Sequence, residues 1–172
     1  ACLKDGAIWT KTGKKIAILD GHGRAIRVGE FSPDGAKIVT AGEDGIVKLW
    51  DSNGNFLFTL DGHIGTMWSA KFSPDGTKIV TSGEDGTARL WNNEGQLLSV
   101  LEGHTDIVWS AVFSPNGRQI LTASRDGTAR LWNNEGKLLN IIEGHSENVW
   151  VASFSPDGLK FLTASWDHTV RI

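Results

Sequence analysis

A repeat of 41 residues constrains the fold of this chain more than any other feature. Gly-His pairs begin at residues 21, 62, 103 and 144, and Phe-Ser-Pro triplets begin at residues 31, 72, 113 and 154. Aspartates keep the same step at residues 44, 85, 126 and 167, and tryptophans keep it at residues 50, 91 and 132. The second and third units are identical at 25 of 41 positions. A fixed period of this length indicates a stack of similar supersecondary units.

Within each unit the residue pattern is typical of short strands separated by turns. In the third unit we predict strands over 107–113, 119–124, 128–132 and 138–142, with Ser-Pro-Asn-Gly, Arg-Asp-Gly and Asn-Asn-Glu-Gly turns between them. No stretch of the sequence has a convincing helical period. Each repeat therefore predicts one four-stranded antiparallel sheet, and such sheets stacked radially make an all-β propeller with four blades in this chain. We place the repeats at about 21–61, 62–102, 103–143 and 144–172 of a single region, 1–172, in which 1–20 supplies a third and an outer strand.

The course of each unit from Gly-His to Trp-Asp or Trp-Asn resembles the WD40 repeat family. The resemblance covers nearly the whole chain, and four copies in phase make it specific, whereas a single Gly-His pair would carry no information. The high identity between units is similar to that in the WD40 arrays of some bacterial proteins. The resemblance implies a β-propeller that binds other macromolecules, because most members of this family act as scaffolds.

The resemblance also implies a buried hydrogen-bond network of His, Thr, Asp and Trp in each blade. Elementary chemistry supports it, since the donors and acceptors of these four groups can satisfy one another. Carried over position by position, the four sets are His22, Thr40, Asp44 and Trp50; His63, Thr81, Asp85 and Trp91; His104, Thr122, Asp126 and Trp132; and His145, Thr163 and Asp167.

Two chemical interpretations of these sets compete with the structural one. Thr, His and Asp together have the composition of a nucleophile, its base and an orienting acid, but the same active site would then recur in every blade. Histidines one repeat apart lie too far around the propeller to share a metal. His168 takes the turn position of Gly45, Gly86 and Gly127, where an exposed turn residue is expected. We therefore predict no enzymatic activity, no catalytic or metal-binding residues and no cofactor.

The candidate binding residues are those that are bulky or variable where the fold does not require it. They lie five residues after each loop histidine, two residues before that position, and immediately before each turn aspartate. They are Arg27, Trp68, Trp109 and Trp150; Ala25, Thr66, Ile107 and Asn148; and Glu43, Glu84, Arg125 and Trp166. A tryptophan cluster edged by charges has the composition of a protein-binding hot spot. The alternative is that the indoles only pack against one another around the channel mouth.

Composition narrows the choice of partner and compartment. The net charge of −3 and the pI of about 5.9 give no electrostatic reason to expect nucleic acid or an anionic membrane. Cys2 is the single cysteine, and neither a long apolar run nor a signal-peptide pattern occurs. We expect a cytoplasmic protein whose partner is a protein or peptide.

The two ends of the repeat array predict how the ring closes. Residues 5–9 read as a short third strand and Lys14–Leu19 as an outer strand without a blade, whereas the last repeat stops within its third strand. One hypothesis is a homodimer that forms an eight-bladed ring, in which Lys14–Leu19 of each copy completes the last blade of the other and Trp9 serves as the missing fourth indole. The other hypothesis is that the chain is part of a longer propeller.

Overall fold

The computed structural model describes residues 6–172, which contain seventeen β-strands and no helix. Cys2 and Asp5 lie outside the described residues. The first strands form a hairpin of β1 (Gly6–Trp9) and β2 (Lys15–Leu19). Three four-stranded sheets follow: blade 1, of β3 (Ile26–Phe31), β4 (Lys37–Gly42), β5 (Val47–Asp51) and β6 (Phe56–Leu60); blade 2, of β7 (Met67–Phe72), β8 (Lys78–Gly83), β9 (Ala88–Asn92) and β10 (Leu97–Leu101); and blade 3, of β11 (Val108–Phe113), β12 (Gln119–Ser124), β13 (Ala129–Asn133) and β14 (Leu138–Ile142). Blade 4 consists of β15 (Val149–Phe154), β16 (Phe161–Ser165) and β17 (Val170–Arg171).

The all-β prediction and the antiparallel pairing within each repeat are therefore confirmed. The prediction of four four-stranded blades is correct for the first three, whereas blade 4 has three strands and its third strand pairs only two residues with β16. The predicted strands of the third repeat agree with blade 3 to within one residue at each end.

Short polar turns define where these strands begin and end. Between β3 and β4 the hydroxyl of Ser32 bonds to Asp34 Oδ1 at 2.6 Å, and the same oxygen of Asp34 accepts the Ala36 N–H. Gly35 takes the positive φ of 72° that lets the chain reverse. The same arrangement recurs in the other blades, because Ser-Pro-Asp/Asn-Gly recurs in the sequence.

The core lies in layers between blades, because each sheet has two apolar faces to cover. The layer between blades 1 and 2 packs Val39, Val47 and Leu49 against Met67 and Ile79. The layer between blades 2 and 3 uses the equivalent positions of the next repeat, Val80, Ala88 and Leu90 against Val108 and Ile120. A third layer joins blades 3 and 4. The sheets therefore stack side by side, as propeller blades do.

The hairpin of β1 and β2 packs on the outer part of blade 1 in the same manner. Ile8 and Leu19 contact Ile38 and Trp50, and each of these four residues has its counterpart one repeat later in the next layer. The hairpin register also repeats: Gly6 pairs with Leu19, as Val47 pairs with Leu60. The hairpin is therefore the third and outer strand of a blade that precedes blade 1.

Lysine side chains connect blades that are neighbours. Lys37 Nζ donates to the carbonyl oxygen of Asn93 and Lys78 Nζ to that of Asn134, both at 2.6 Å. Each pair spans 56 residues and joins the second strand of one blade to the turn after the third strand of the next. These bonds add a polar tie to the apolar layers.

Candidate functional site

In each of the first three blades a chain of hydrogen bonds links Trp, Thr, His and Asp. In blade 3 the Trp132 indole N–H donates to Thr122 Oγ1 at 3.0 Å, His104 Nε2 lies 2.8 Å from the same oxygen, and His104 Nδ1 lies 2.7 Å from Asp126 Oδ2. Blades 1 and 2 repeat the chain, with each of the three corresponding distances between 2.8 and 3.0 Å. In blade 4, His145 joins Thr163 and Asp167 in the same way, and no indole of the described residues reaches Thr163.

The direction of these bonds follows from what each group can donate. The indole can only donate, so the threonine oxygen accepts from it and turns its own hydrogen toward the histidine Nε2. The imidazole then accepts a hydrogen bond at Nε2 and donates its Nδ1–H to the carboxylate. Within this Trp–Thr–His–Asp network every polar hydrogen has an acceptor. The four side chains can therefore be buried between the inner loop and the turn after the second strand.

Three of the aspartates in these networks, Asp85, Asp126 and Asp167, are held ionised. Burial raises the pKa of Asp85 and Asp126, but hydrogen bonds from the adjacent histidine and threonine outweigh it and set the pKa well below the usual range. For Asp167 the hydroxyl of Thr169 is the largest cause of the lowered pKa, followed against burial by His145. A base poised for proton transfer needs a pKa near neutrality, so these carboxylates are suited to anchoring loops.

Two sets of residues that the sequence reasoning missed contribute to the networks. Thr87, Thr128 and Thr169 donate their hydroxyl hydrogens to the turn aspartates at 2.6–2.8 Å. A cation on the third strand also lies across the Gly-His loop, where Lys48 reaches the Gly21 carbonyl oxygen and Arg130 that of Gly103. The signal was present as Asp-Gly-Thr in the second and third repeats and Asp-His-Thr in the fourth, and as a cation at a fixed step in each repeat.

His168 has a left-handed backbone with φ of 65°, and it is the one such non-glycine among the described residues. The equivalent Gly45, Gly86 and Gly127 have φ of 75–83° and lie against the loop of the following blade. The His168 side chain is exposed, and it does not join the hydrogen-bond network of its blade.

The predicted tryptophans of blades 2 to 4 touch in a continuous row, which we call the indole ladder (Trp68, Trp109, Trp150 and Trp166). The ring centroids of Trp68 and Trp109 lie 4.7 Å apart, those of Trp109 and Trp150 lie 4.6 Å apart, and those of Trp150 and Trp166 lie 6.1 Å apart. Trp68 and Trp109 are half-buried, and their indole N–H groups have no acceptor in the described protein. Trp150 and Trp166 are 42% and 58% exposed, so the ladder has an open end on blade 4.

Arg27 occupies the blade 1 position of the ladder and closes its other end. Its guanidinium carbon lies 4.8 Å from the centre of the Trp68 ring, and its Nη2 donates to Glu43 Oε1. The predicted cluster therefore has a cation at one end and bare indole faces at the other.

The remaining predicted surface residues lie beside the ladder, and most are engaged within their own blade. Glu84 accepts the Thr66 N–H at 2.8 Å, and Arg125 lies 3.7 Å from Asp106. The backbone N–H groups of Arg125 and Trp166 donate to the carbonyl oxygens of Ile107 and Asn148. The predicted charged edge is thus largely neutralised by partners that sequence spacing did not indicate.

No group of three or more His, Cys, Asp or Glu side chains in residues 6–172 is arranged to hold a metal ion. No helix that could span a membrane is found there.

Comparison with protein families gives the class of the chain. The model of the WD domain, G-beta repeat (WD40) matches four consecutive segments, 13–51, 54–92, 95–133 and 136–172. These matches cover most of the sequence, so the chain belongs to the WD40 repeat family and the resemblance seen in the repeats is confirmed. A search of the curated proteins found no match to the chain. Each matched segment begins just before an outer strand and ends at a third strand. One match therefore contains the outer strand of one blade and the first three strands of the next.

Proposed function

We propose that this chain is a non-catalytic scaffold that binds a protein or peptide on the indole ladder. WD40 repeats generally form protein-interaction scaffolds, which gives the class of function. The observation that carries the specific proposal is the open end of the ladder, where Trp150 and Trp166 expose large aromatic faces side by side. Adjacent exposed aromatic residues are the side chains most enriched at the energetic centres of protein interfaces.

The geometry distinguishes the two ends of the ladder. Trp68 lies between Arg27 and Trp109, and Trp109 lies between Trp68 and Trp150, so their substitution would disturb packing as well as any contact with a partner. Trp150 and Trp166 support little of the core, since roughly half of each side chain is exposed. Substitutions at this end separate binding from folding.

The test is a peptide-array screen with the wild-type chain, followed by affinity measurements on the peptides it selects. We expect Trp150→Ala and Trp166→Ala to keep the cooperative unfolding transition and to weaken peptide binding by about 2 kcal/mol or more, as at interface hot spots. Phe56→Ala is the matched control, because Phe56 is an aromatic residue that is 52% exposed but lies on β6, the outer strand of blade 1. Selected peptides whose affinity is unchanged by both ladder substitutions would refute binding on this surface.

A second candidate function is self-assembly into a closed ring, and a cleft beside blade 1 favours it. The cleft, of about 350 Å³, lies between the hairpin and the inner strand of blade 1 and is lined by Ile26, Gly29 and Phe31. In blade 2 the equivalent positions are Met67, Ala70 and Phe72, which are buried against Val39 and its neighbours on the preceding blade. The cleft therefore has the shape that the second strand of a preceding blade would fill.

Blade 4 carries the complementary residues. Leu162 and Val170 are the counterparts, three repeats on, of Val39 and Val47, and both are exposed. We propose that blade 4 of a second copy enters the cleft and that β1 takes the place of the two-residue β17 beside β16. Trp9 would then present its N–H to Thr163, which has no indole donor among the described residues.

The mass of the 172-residue chain in solution tests this second candidate. A closed pair has twice the 18.6 kDa of one chain, and Leu162→Asp should return it to a single chain by placing a charge in the apolar layer. Leu159→Asp is the matched control, because Leu159 is exposed in a turn. A mass of one chain at high protein concentration would contradict assembly and leave the peptide-binding proposal intact.

A further inference from the structure

Arg27 shows how this protein holds a cation against an indole. One face of its guanidinium lies over Trp68, with the Cζ atom 4.8 Å from the ring centre, and one edge donates a hydrogen bond to the Glu43 carboxylate. A planar guanidinium can make both contacts at once, because its face attracts the π electrons while its edge carries the N–H donors. The pair of an indole face and a carboxylate edge is therefore an arginine-binding arrangement within this chain.

The open end of the ladder offers the same two elements without a cation of its own. Trp150 and Trp166 lie nearly parallel, with 22° between the ring planes, and neither has a Lys or Arg over its face among the described residues. Trp150 lies between Trp109 and Trp166, so the ring at the end of the row, Trp166, is the one available to a side chain from outside.

Glu147 supplies the carboxylate. Its backbone carbonyl accepts the Ser165 hydroxyl hydrogen at 3.1 Å, which fixes this loop beside the turn that carries Trp166. Glu147, Trp166 and His168 line one open cavity, and the Glu147 side chain is exposed without an ion pair in the described protein. The neighbouring Asp167 is already committed to His145 and Thr169, so Glu147 is the free acid of this cavity.

We infer that the blade 4 end of the ladder is a subsite for an arginine side chain of a partner peptide, with Trp166 beneath the guanidinium and Glu147 at its edge. The inference rests on the proposed function, since it names the chemistry that the ladder recognises. The negative net charge of the chain also favours a basic partner. Arginine is preferred over lysine, because an ammonium has no planar face to lay on the ring.

Titration of the full chain with short capped peptides, followed by NMR of the indole N–H signals, tests the inference. A peptide with arginine between two glycines should shift the Trp150 and Trp166 signals and leave the signals of the buried Trp50, Trp91 and Trp132 in place. Replacing the arginine by citrulline, which keeps the shape and removes the charge, should weaken binding by about five-fold or more. Glu147→Gln and Trp166→Ala should each weaken it by a similar factor, and Phe56→Ala, on the outer strand of blade 1, should leave it unchanged.

The outcomes separate this inference from the broader proposal. Equal affinity for the arginine and citrulline peptides, or shifts confined to indoles outside the ladder, would overturn the arginine subsite. If array-selected peptides lack arginine but still depend on Trp150 and Trp166, the ladder remains a binding surface and only its chemistry is wrong. The short arginine peptide could instead bind in a Trp166-dependent way while the binding of longer peptides does not depend on Trp166. In that case the arginine subsite stands and the scaffold proposal fails.

Discussion

At the scale of single residues, the threonine in the middle of the network provides a hydrogen-bond partner to both the indole N–H and the histidine Nε2. Thr122 is fully buried and is the acceptor for Trp132 and the partner of His104 Nε2. Without its hydroxyl, an indole N–H and an imidazole nitrogen would both be buried and unsatisfied. A buried polar group without a partner is more costly than the hydrogen bond itself is favourable.

Thr122→Val should therefore lower the free energy of unfolding by about 1–3 kcal/mol, because valine keeps the shape of threonine but offers no hydroxyl. Thr122→Ser is the matched control, since it keeps the hydroxyl and removes only a methyl group, at a cost of about 0.8 kcal/mol. Urea unfolding of the three proteins measures the difference. Equal losses in the two variants would show that the hydroxyl is not what stabilises this position.

The lowered pKa values of Asp85, Asp126 and Asp167 predict the sign of a pH effect. A carboxyl group whose pKa is lower in the folded chain than its ordinary 3.8 stabilises the fold above that pH. The contribution is lost as the pH falls below about 4 toward the folded-state pKa. The urea midpoint should thus drop steeply between about pH 5 and pH 2.5, and it should drop less in Asp126→Asn, which cannot titrate. Parallel curves for the two proteins would contradict this account.

At the scale of elements, the turn after the second strand has a glycine in blades 1 to 3, and two separable effects can favour glycine there. Gly45 and Gly127 share a left-handed backbone, with φ of 76° and 83°. This conformation is unfavourable for any L residue that has a Cβ atom. A Cβ on Gly45 would also lie 2.8 Å from the carbonyl oxygen of Gly65 in blade 2, whereas one on Gly127 would lie 3.6 Å from the nearest atom. The first position is therefore restricted by its neighbour as well as by its own conformation.

Gly45→Ala should accordingly destabilise the chain more than Gly127→Ala. The backbone term is common to both and amounts to about 1 kcal/mol, and the close approach to Gly65 adds to it only at position 45. Thermal unfolding of the two variants gives the comparison directly. Equal losses would mean that the loop of blade 2 moves away without cost, and would contradict the restriction by Gly65.

The strands were predictable from the sequence to about one residue, because turn residues and strand periodicity repeat in phase. The sequence placed a strand at 119–124, and β12 is Gln119–Ser124. It also brought Trp68, Trp109 and Trp150 to one surface, since one position of each inner strand faces one way. Their assignment as binding residues stays a prediction.

Side-chain pairing was not predictable in the same way, because it depends on which of several nearby partners is in reach. Arg125 could have edged the ladder, but it lies beside Asp106, and Arg27 stacks on Trp68 in the next blade. These contacts depend on which residues lie close together in the folded chain. The spacing of residues within one repeat does not give that information.

At the scale of the whole molecule, stability should be graded along the stack. Blades 2 and 3 have apolar layers on both faces, and the central strands β8 and β12 are buried almost throughout. The hairpin and blade 4 have one covered face each, and both residues of β17 are exposed. A strand with few buried apolar contacts opens at a lower free energy than the global unfolding transition.

Hydrogen–deuterium exchange should show this gradient. We expect the slowest amide exchange in β8, β9 and β12, and the fastest in β1, β2 and β17, because local opening of the outer elements leaves the central layers intact. Mass spectrometry at low protein concentration measures the amide exchange rate of each strand. Uniform protection from Gly6 to Arg171 would contradict it and would indicate a partner on the outer faces.

The apolar layers have one further consequence. Val39 and Val80, like Ile79 and Ile120, serve the same role in successive layers, so the seam between any two neighbours is built from matching halves. Unequal recombination that inserted or deleted one repeat unit would rejoin two compatible halves and leave no foreign junction to be accommodated. The size of such a propeller is thus recorded in the copy number of the gene segment and not in the shape of any blade.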